Sequence, residues 1–259
     1  MLNKYSAFIF DLDGTLYRGR NLIPRSDLVV NQLKEFGKKI VFISNKTTGS
    51  VEDYYNFLFN KGLNIEKEEI INSTVVAQEF LKNNHPGEYY FAIGEKAFVN
   101  EINKTGLIFT SDPMKAKILL ITLDRTLDYS KLEIAAKALE NGARFYAANI
   151  DDTCPVEGGE IMDAGSIITA LEKRTHLKLE KHFGKPSEYM MNKINSLLKV
   201  DSQECLLIGD RVETDIAMGN KFNIDTALVS TGVANFLNGK VKPTYSINSV
   251  YDILQRKVK

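Results

Sequence analysis

Short apolar runs alternate with longer segments of helical spacing along most of this chain of 259 residues. The runs are rich in branched or aromatic residues and bounded by glycine or polar residues, which is typical of strands buried on both faces of a sheet. Strands that alternate with helices predict parallel βαβ units. Towards the two ends of the chain, strands are predicted at 7–10, 40–43, 205–208 and 226–229, and helices at 27–36, 51–61, 188–198 and 214–221.

The middle of the chain has an alternation of its own, flanked by polar joints at 83–87 and 175–181. It predicts strands at 89–93, 118–121 and 144–148, and helices at 95–104, 130–140 and 164–174. We therefore predict an α/β fold. A Rossmann-like parallel-sheet core with helices on both faces comprises 1–81 and 182–259, and a smaller α/β unit is inserted at 82–181.

Composition excludes several classes of function. Basic and acidic residues number 33 each, so the formal net charge is zero. This balance argues against a nucleic-acid partner, which normally calls for a basic excess, and against a polybasic membrane-surface protein. No apolar run approaches the roughly 20 residues of a membrane span. Two cysteines and three scattered histidines form neither a disulfide framework nor a zinc set. With no signal-peptide layout, we expect a soluble cytoplasmic protein.

The strongest local motif directly follows the first predicted strand and has the sequence Asp11-Leu-Asp13-Gly14-Thr15. Alternate residues of an extended segment point the same way, so Asp11 and Asp13 project together. Gly14 permits a sharp exit from the strand. Ligands of open α/β sheets bind beyond the carboxyl ends of the strands, which is where this pair lies. Taken alone, the motif is equally typical of a solvated turn.

A second acidic motif follows the predicted strand 205–208, with Asp210 in the position equivalent to Asp11. If the two strands are neighbours, three carboxylates converge. Two such charges about 5 Å apart repel by roughly 3 kcal/mol at an effective dielectric near 20. A bound cation removes this cost, and a hard, oxygen-only ligand set favours Mg²⁺. Asp215, one turn later, either orients this region or caps the following helix.

Two further segments supply groups suited to an anion. Ser44-Asn45 ends the second predicted strand, where a hydroxyl and backbone N–H groups can cradle a phosphate, although such a pair is usually a turn. Lys185 stands between glycine and proline at the start of a predicted helix. There it can present a fixed positive charge to a phosphate, although most lysines are solvated surface charges.

Together these motifs resemble, in order, the four motifs of haloacid dehalogenase (HAD) superfamily phosphatases: 11–15, Ser44-Asn45, Lys185 and 209–215. The insert resembles the large α/β cap of the nitrophenylphosphatase and NagD-like sugar-phosphatase branch, with similar segments at 147–151 and 163–166. The resemblance spans nearly the whole chain. It implies a HAD-like catalytic core at 1–81 and 182–259, a cap at 82–181, and a Mg²⁺-dependent phosphatase acting on small phosphomonoesters.

The resemblance also implies a role for each motif residue. Asp11 is the nucleophile that forms an aspartyl phosphate, and Asp13 is the general acid and base. The metal ligands are Asp11, the Asp13 carbonyl and Asp210. The groups that hold the phosphoryl oxygens are Ser44, Asn45 and Lys185. Asp215 and Thr15 lie behind the residues that bind the metal and the phosphoryl group, and support them.

Substrate choice is expected to lie in the cap, because a second domain that closes over the site reads the leaving group. Asn149 and Asp151 are candidates for contacting the substrate, and a loop without such a role is an equal alternative. The expected partner is a small phosphorylated metabolite. A homodimer formed through the cap follows from family likeness alone.

Three other functions use similar residues. A phosphotransferase or mutase with the same aspartyl phosphate differs only in the acceptor of the phosphoryl group, and the motifs do not separate it from a phosphatase. A phospho-accepting signalling receiver also uses acidic residues, a hydroxyl and a lysine, but it is about half this length. A glycosyltransferase with an Asp-x-Asp metal site gives no reason for Lys185 or Asp210.

Overall fold

The structure is a computed structural model that describes residues 2–156, 158–233 and 241–255. Its strands are β1 (Ala7–Asp11), β2 (Tyr17–Arg18), β3 (Asn21–Leu22), β4 (Lys39–Ser44), β5 (Ile70–Asn72), β6 (Tyr89–Ile93), β7 (Ile108–Phe109), β8 (Ile118–Ile121), β9 (Arg144–Ala147), β10 (Thr153–Val156), β11 (Gly159–Met162), β12 (Lys181–His182), β13 (Cys205–Gly209), β14 (Asp225–Val229) and β15 (Tyr245–Ile247). Its α-helices are α1 (Ser26–Glu35), α2 (Val51–Asn60), α3 (Ser73–Asn84), α4 (Lys96–Asn103), α5 (Tyr129–Glu140), α6 (Ala164–Thr175), α7 (Glu188–Leu198), α8 (Ala217–Phe222) and α9 (Asp252–Gln255).

The chain divides into two compact units, each with its own sheet. The first comprises Met1–Ser44, Val51–Ile71 and Lys185–Lys259, and the second comprises Asn45–Ser50 and Asn72–Gly184. The predicted insert, 82–181, falls wholly within the second unit. The predicted α/β class, a parallel-sheet core with a smaller inserted α/β unit, is confirmed.

The first unit is built on a six-stranded sheet in the order β15-β14-β13-β1-β4-β5. Strand β1 pairs in parallel with β13 on one side and with β4 on the other. All five residues of β1 are buried, and α1 turns its buried Val29, Val30 and Leu33 inward, the spacing of a helix with one apolar face. Because β1, β4 and β13 run the same way, their carboxyl ends meet at one edge of the sheet.

The second unit has a five-stranded sheet in the order β12-β9-β8-β6-β7, with parallel pairing throughout. Phe91, Leu119 and Phe145 are buried in its core with the apolar faces of α5 and α6. The strands β10 and β11 form an antiparallel hairpin in which Thr153 pairs with Met162.

The predicted helix at 214–221 is wrong at its start. A π-helical turn spans Val212–Ile216 and α8 begins only at Ala217. The N–H groups of Asp215 and Ile216 both donate to the carbonyl of Arg211, which widens this turn. The wider turn carries the Asp215 side chain back against Gly209, where an added Cβ would lie 2.2 Å from the Asp215 carboxyl carbon.

Helix α3 was not predicted, because its first turn contains Thr74, Val75 and Val76, and β-branched residues favour strands. Asn72 begins the helix instead by accepting the N–H of Val75 at 2.9 Å.

None of the described helices combines the length and the apolar character that crossing a bilayer requires.

Candidate active site

Three carboxylates meet at the carboxyl edge of the first unit's sheet. Asp11 is the last residue of β1, Asp210 directly follows β13, and Asp215 lies in the π-helical turn. Each offers an oxygen within 4.8 Å of the others. All three residues are buried, with exposures of 5%, 5% and 1%. The structure therefore brings Asp11 and Asp210 together, and it adds Asp215 to the same cluster.

Lys185 supplies the cation of this cluster. Its Nζ lies 2.5 Å from Asp11 Oδ1 and 2.6 Å from Asp215 Oδ1, and the residue is 3% exposed. The lysine is fixed because α7 begins just after it, where Ser187 accepts the N–H of Met190 at 3.1 Å. With all three aspartates ionised, one lysine leaves two negative charges uncompensated in a buried site.

The second oxygen of Asp11 is the distinctive atom of the cluster. Among the described residues, no group donates a hydrogen bond to the buried Asp11 Oδ2. A buried carboxylate oxygen normally accepts a hydrogen bond. The lack of a donor at Oδ2 therefore marks a position for a ligand. Burial raises the pKa of Asp11 well above its ordinary value; Lys185 opposes this, and the charges of Asp215 and Asp210 add to it.

Asp210 and Lys185 respond to the same crowding of charges. Burial, together with the charge of Asp215, raises the pKa of Asp210 to about 6. Burial lowers the pKa of Lys185, but the charges of Asp11 and Asp215 outweigh it and the net direction is upward. The lysine therefore stays protonated while the carboxylates repel one another.

Backbone and small residues surround the carboxylate of Asp210. Its Oδ2 accepts the N–H of Val233 at 2.9 Å. Gly14 has φ +88°, and a Cβ there would lie only 2.3 Å from the same oxygen. Glycine at this position thus serves both the left-handed backbone and the close approach of Asp210.

The remaining predicted residues of the first unit lie in the β1 turn and at the end of β4. Asp13 is half-buried between Asp11 and Gly14, and its carboxylate is not part of the described acidic cluster. Thr15 is fully buried, and its Oγ1 has no hydrogen-bond partner among the residues that the structure describes. Ser44 is the last residue of β4 and is 3% exposed.

Three predicted residues belong to the second unit, where they share one polar network. The amide nitrogens of Asn45 and Asn149 both donate to Asp151 Oδ2, at 2.8 and 3.1 Å. Asn149 also donates to Asp163 Oδ1 at 3.1 Å and accepts the hydroxyl of Thr122 at 3.0 Å. The structure thus brings Asn45, Asn149 and Asp151 together. It also shows two members, Asp163 and Thr122, that sequence reasoning did not place there.

Comparison with known proteins gives a consistent result. A family model described as haloacid dehalogenase-like hydrolase matches residues 8–108, and one described as HAD-hydrolase-like matches 182–253. The chain is similar to the sugar-phosphatase AraL of Bacillus subtilis, with 34% identity over 96% of this chain and 92% of that protein.

Two solved structures extend the match to the fold. The p-nitrophenyl phosphatase from Archaeoglobus fulgidus superposes with a TM-score of 0.89 and 31% identity, over 97% of this chain and 99% of that one. The glycerol phosphate phosphatase from Mycobacterium tuberculosis, in complex with magnesium, has a TM-score of 0.85 and 25% identity, over 97% of this chain and 77% of that one. The chain belongs to the HAD-like hydrolases. It is a phosphatase of the nitrophenylphosphatase and NagD-like branch, and so a phosphoric monoester hydrolase.

In this HAD phosphatase, sequence reasoning missed the segment 231–233, which contacts Asp210. A signal was present, because Thr231-Gly232 follows the predicted strand 226–229 as Asp13-Gly14 follows the first strand. Polar and glycine residues after a buried strand mark the edge at which ligands bind.

Proposed function

We propose that this phosphatase hydrolyses small phosphomonoesters with the help of Mg²⁺, through an aspartyl phosphate formed on Asp11. The observation that carries the proposal is the environment of the Asp11 carboxylate. Lys185 holds one of its oxygens, while the other is buried without a hydrogen-bond partner among the described residues. Such an arrangement suits a nucleophile whose attacking oxygen is kept clear of hydrogen-bond donors.

The donor set fits a magnesium ion. It consists of carboxylate oxygens, which this hard cation prefers, and the cluster has a formal excess of negative charge that a divalent cation would neutralise. Asp11 and Asp210 would hold the metal together with the Asp13 carbonyl, and Asp215 would keep Lys185 in place. When bound, Mg²⁺ supplies positive charge that offsets the repulsion between a phosphate and the Asp11 carboxylate.

The protein side chains then account for both chemical steps. The Asp11 carboxylate attacks phosphorus, the bond to the ester oxygen breaks, and Asp13 donates a proton to the departing alcohol. Water next attacks the aspartyl phosphate while Asp13 takes its proton, which releases inorganic phosphate and restores Asp11. Ser44, Asn45 and Lys185 hold the phosphoryl oxygens as charge redistributes. Thr15 supports the loop that carries Asp13.

Sugar phosphates are the substrate class that we propose. The support is the identity of 34% to a protein named a sugar phosphatase. The second α/β unit would act as the cap that admits the leaving group. Substrate contacts by Asn149 and Asp151, a homodimer through the cap and a cytoplasmic location stay predictions.

The test measures phosphate release from p-nitrophenyl phosphate and from a panel of sugar phosphates, with EDTA and with added Mg²⁺. We expect activity only with the metal and a loss of about a thousandfold or more in Asp11→Asn. The matched control is Asp201→Asn, which changes an exposed residue of the same, first unit and should keep full activity. Full activity in EDTA, or in Asp11→Asn, contradicts the proposal.

A phosphotransferase or mutase is separated from a phosphatase by its products. With a sugar hydroxyl added as acceptor, a phosphatase yields inorganic phosphate in an amount equal to the alcohol released. Transfer to the sugar in place of water would favour the phosphotransferase.

A further inference from the structure

The segment that follows β14 contacts the turn that follows β1. The hydroxyl of Thr231 donates to the carbonyl of Gly14 at 2.6 Å, although the two residues are 217 positions apart. Gly14 is the residue that follows Asp13 in the motif Asp-Leu-Asp-Gly-Thr. This side-chain hydrogen bond therefore joins the segment to the turn that directly follows the proposed nucleophile, Asp11, and carries the proposed acid, Asp13.

The next two residues contact Asp210 directly. An added Cβ at Gly232 would lie 1.8 Å from Asp210 Oδ2, and the N–H of Val233 donates to that same oxygen at 2.9 Å. The φ angle of Gly232 lies outside the left-handed region. Glycine is thus needed there because of the carboxylate and not because of the backbone conformation.

We infer that Thr231 is a positioning residue for the metal site. It acts through its hydrogen bond to Gly14 and through the contacts that the next two residues, Gly232 and Val233, make with Asp210. This inference rests on the proposed function. A backbone N–H donates to Oδ2, and two glycines pack against the carboxylate, so these contacts hold Asp210 in the observed orientation. The Thr231 hydroxyl links the segment 231–233 to the turn after β1, so that Asp11 and Asp210 keep a constant separation. Groups that orient metal ligands in this way typically contribute 10- to 100-fold to metal affinity.

The experiment measures Mg²⁺ binding by isothermal titration calorimetry on the full chain, alongside melting temperature and activity. We expect Thr231→Val, which keeps the shape but removes the donor, to weaken Mg²⁺ binding about tenfold. Activity at low Mg²⁺ should fall by the same factor and return at saturating Mg²⁺. Thr231→Ser should restore the affinity, and Gly232→Ala should weaken it more than Thr231→Val does.

Thr244→Val is the matched control. The Thr244 hydroxyl also makes a hydrogen bond in this unit, to Asp225 Oδ1 at 3.1 Å, but Asp225 begins β14 at the other end of the strand. This variant should leave the Mg²⁺ dissociation constant unchanged.

Two outcomes overturn the inference in different ways. If the wild-type chain binds Mg²⁺ and Thr231→Val binds it equally well, with only a lower melting temperature, Thr231 has a structural role alone. If the wild-type chain binds no Mg²⁺, the proposed function fails with it. If Thr231→Val does not fold, Gly232→Ala provides the test. An unchanged Mg²⁺ affinity in Gly232→Ala would exclude a role of segment 231–233 in orienting Asp210.

Discussion

Lys185 Nζ lies 2.5 Å from Asp11 Oδ1, although 174 positions separate the two residues in the chain. Both are almost wholly excluded from solvent. The same ammonium also contacts Asp215, so one cation serves two carboxylates. Removing one partner of a buried ion pair leaves an uncompensated charge, which costs far more than the pair itself contributes.

Lys185→Met should therefore destabilise the protein and abolish phosphate release. In the absence of metal we expect the free energy of unfolding at neutral pH to fall by about 3–5 kcal/mol, because three buried carboxylates then lack their cation. Urea denaturation measures the change. Lys39→Met is the control, since the exposed Lys39 donates to the carbonyl of Leu198; its cost should stay below about 1 kcal/mol. Equal stability of the two variants would contradict this account.

Magnesium should stabilise the folded chain through the same carboxylates. A ligand that binds only the native state adds about 2.7 kcal/mol when present at 100 times its dissociation constant. We expect the melting temperature to rise with Mg²⁺ in the wild type and in Asp201→Asn, and to stay constant in Asp210→Asn. A metal-dependent rise that persists in Asp210→Asn would place the ion elsewhere.

The sequence predicts the edge of the sheet at which the site lies, because buried apolar runs fix where β1 and β13 end. Asp11 and Asp210 follow directly from those ends. Asp215 does not, since its position depends on a π-helical turn that the helical spacing of 214–221 conceals. The contact between Lys185 and Asp11 also needs the path of the chain after the second unit, which no local pattern specifies.

Asn45 shows a second limit of sequence reasoning. Its position beside Ser44 predicts a phosphate contact, which stays a prediction, and the structure adds a hydrogen bond from its amide to Asp151 that the motif does not indicate. The residues of that network are spread from Asn45 to Asp163, and each is polar in a way that suits a loop as well as a buried contact. Only the pairing of β8 with β9 brings Thr122 and Asn149 together.

Asn149 should be a main determinant of stability in the second unit. It is 2% exposed, and its amide serves Asp151, Asp163 and Thr122. Asn149→Ala removes all three bonds and leaves buried polar atoms without partners, so we expect a loss of about 2–4 kcal/mol. Asn84→Ala, at an exposed position of the same unit, should cost less than about 1 kcal/mol. Equal losses in urea denaturation would show that the network does not stabilise the fold.

Asp124 gives the second unit a stability that depends on pH. Its buried carboxylate accepts the ammonium of Lys131 at 2.7 Å, and the N–H and hydroxyl of Thr126 at 2.9 and 2.6 Å. Burial raises the pKa of Asp124, but these contacts outweigh burial, so its pKa lies below the ordinary value. For a lowered pKa, the stabilisation is complete above the unfolded-state pKa of about 3.9 and is lost as pH falls through the folded-state value.

Asp124→Asn should therefore be less stable than the wild type at pH 7, by about 1–3 kcal/mol, and the difference should shrink below about pH 4 as the wild-type carboxylate takes up a proton. Urea denaturation of both proteins at pH 7, 5 and 3 measures it. In a Lys131→Met background the same Asp124→Asn change should show a weaker dependence on pH, because the ammonium that lowers the pKa is gone. A difference that stays constant from pH 7 to pH 3 would exclude an ionised Asp124 as a source of stability.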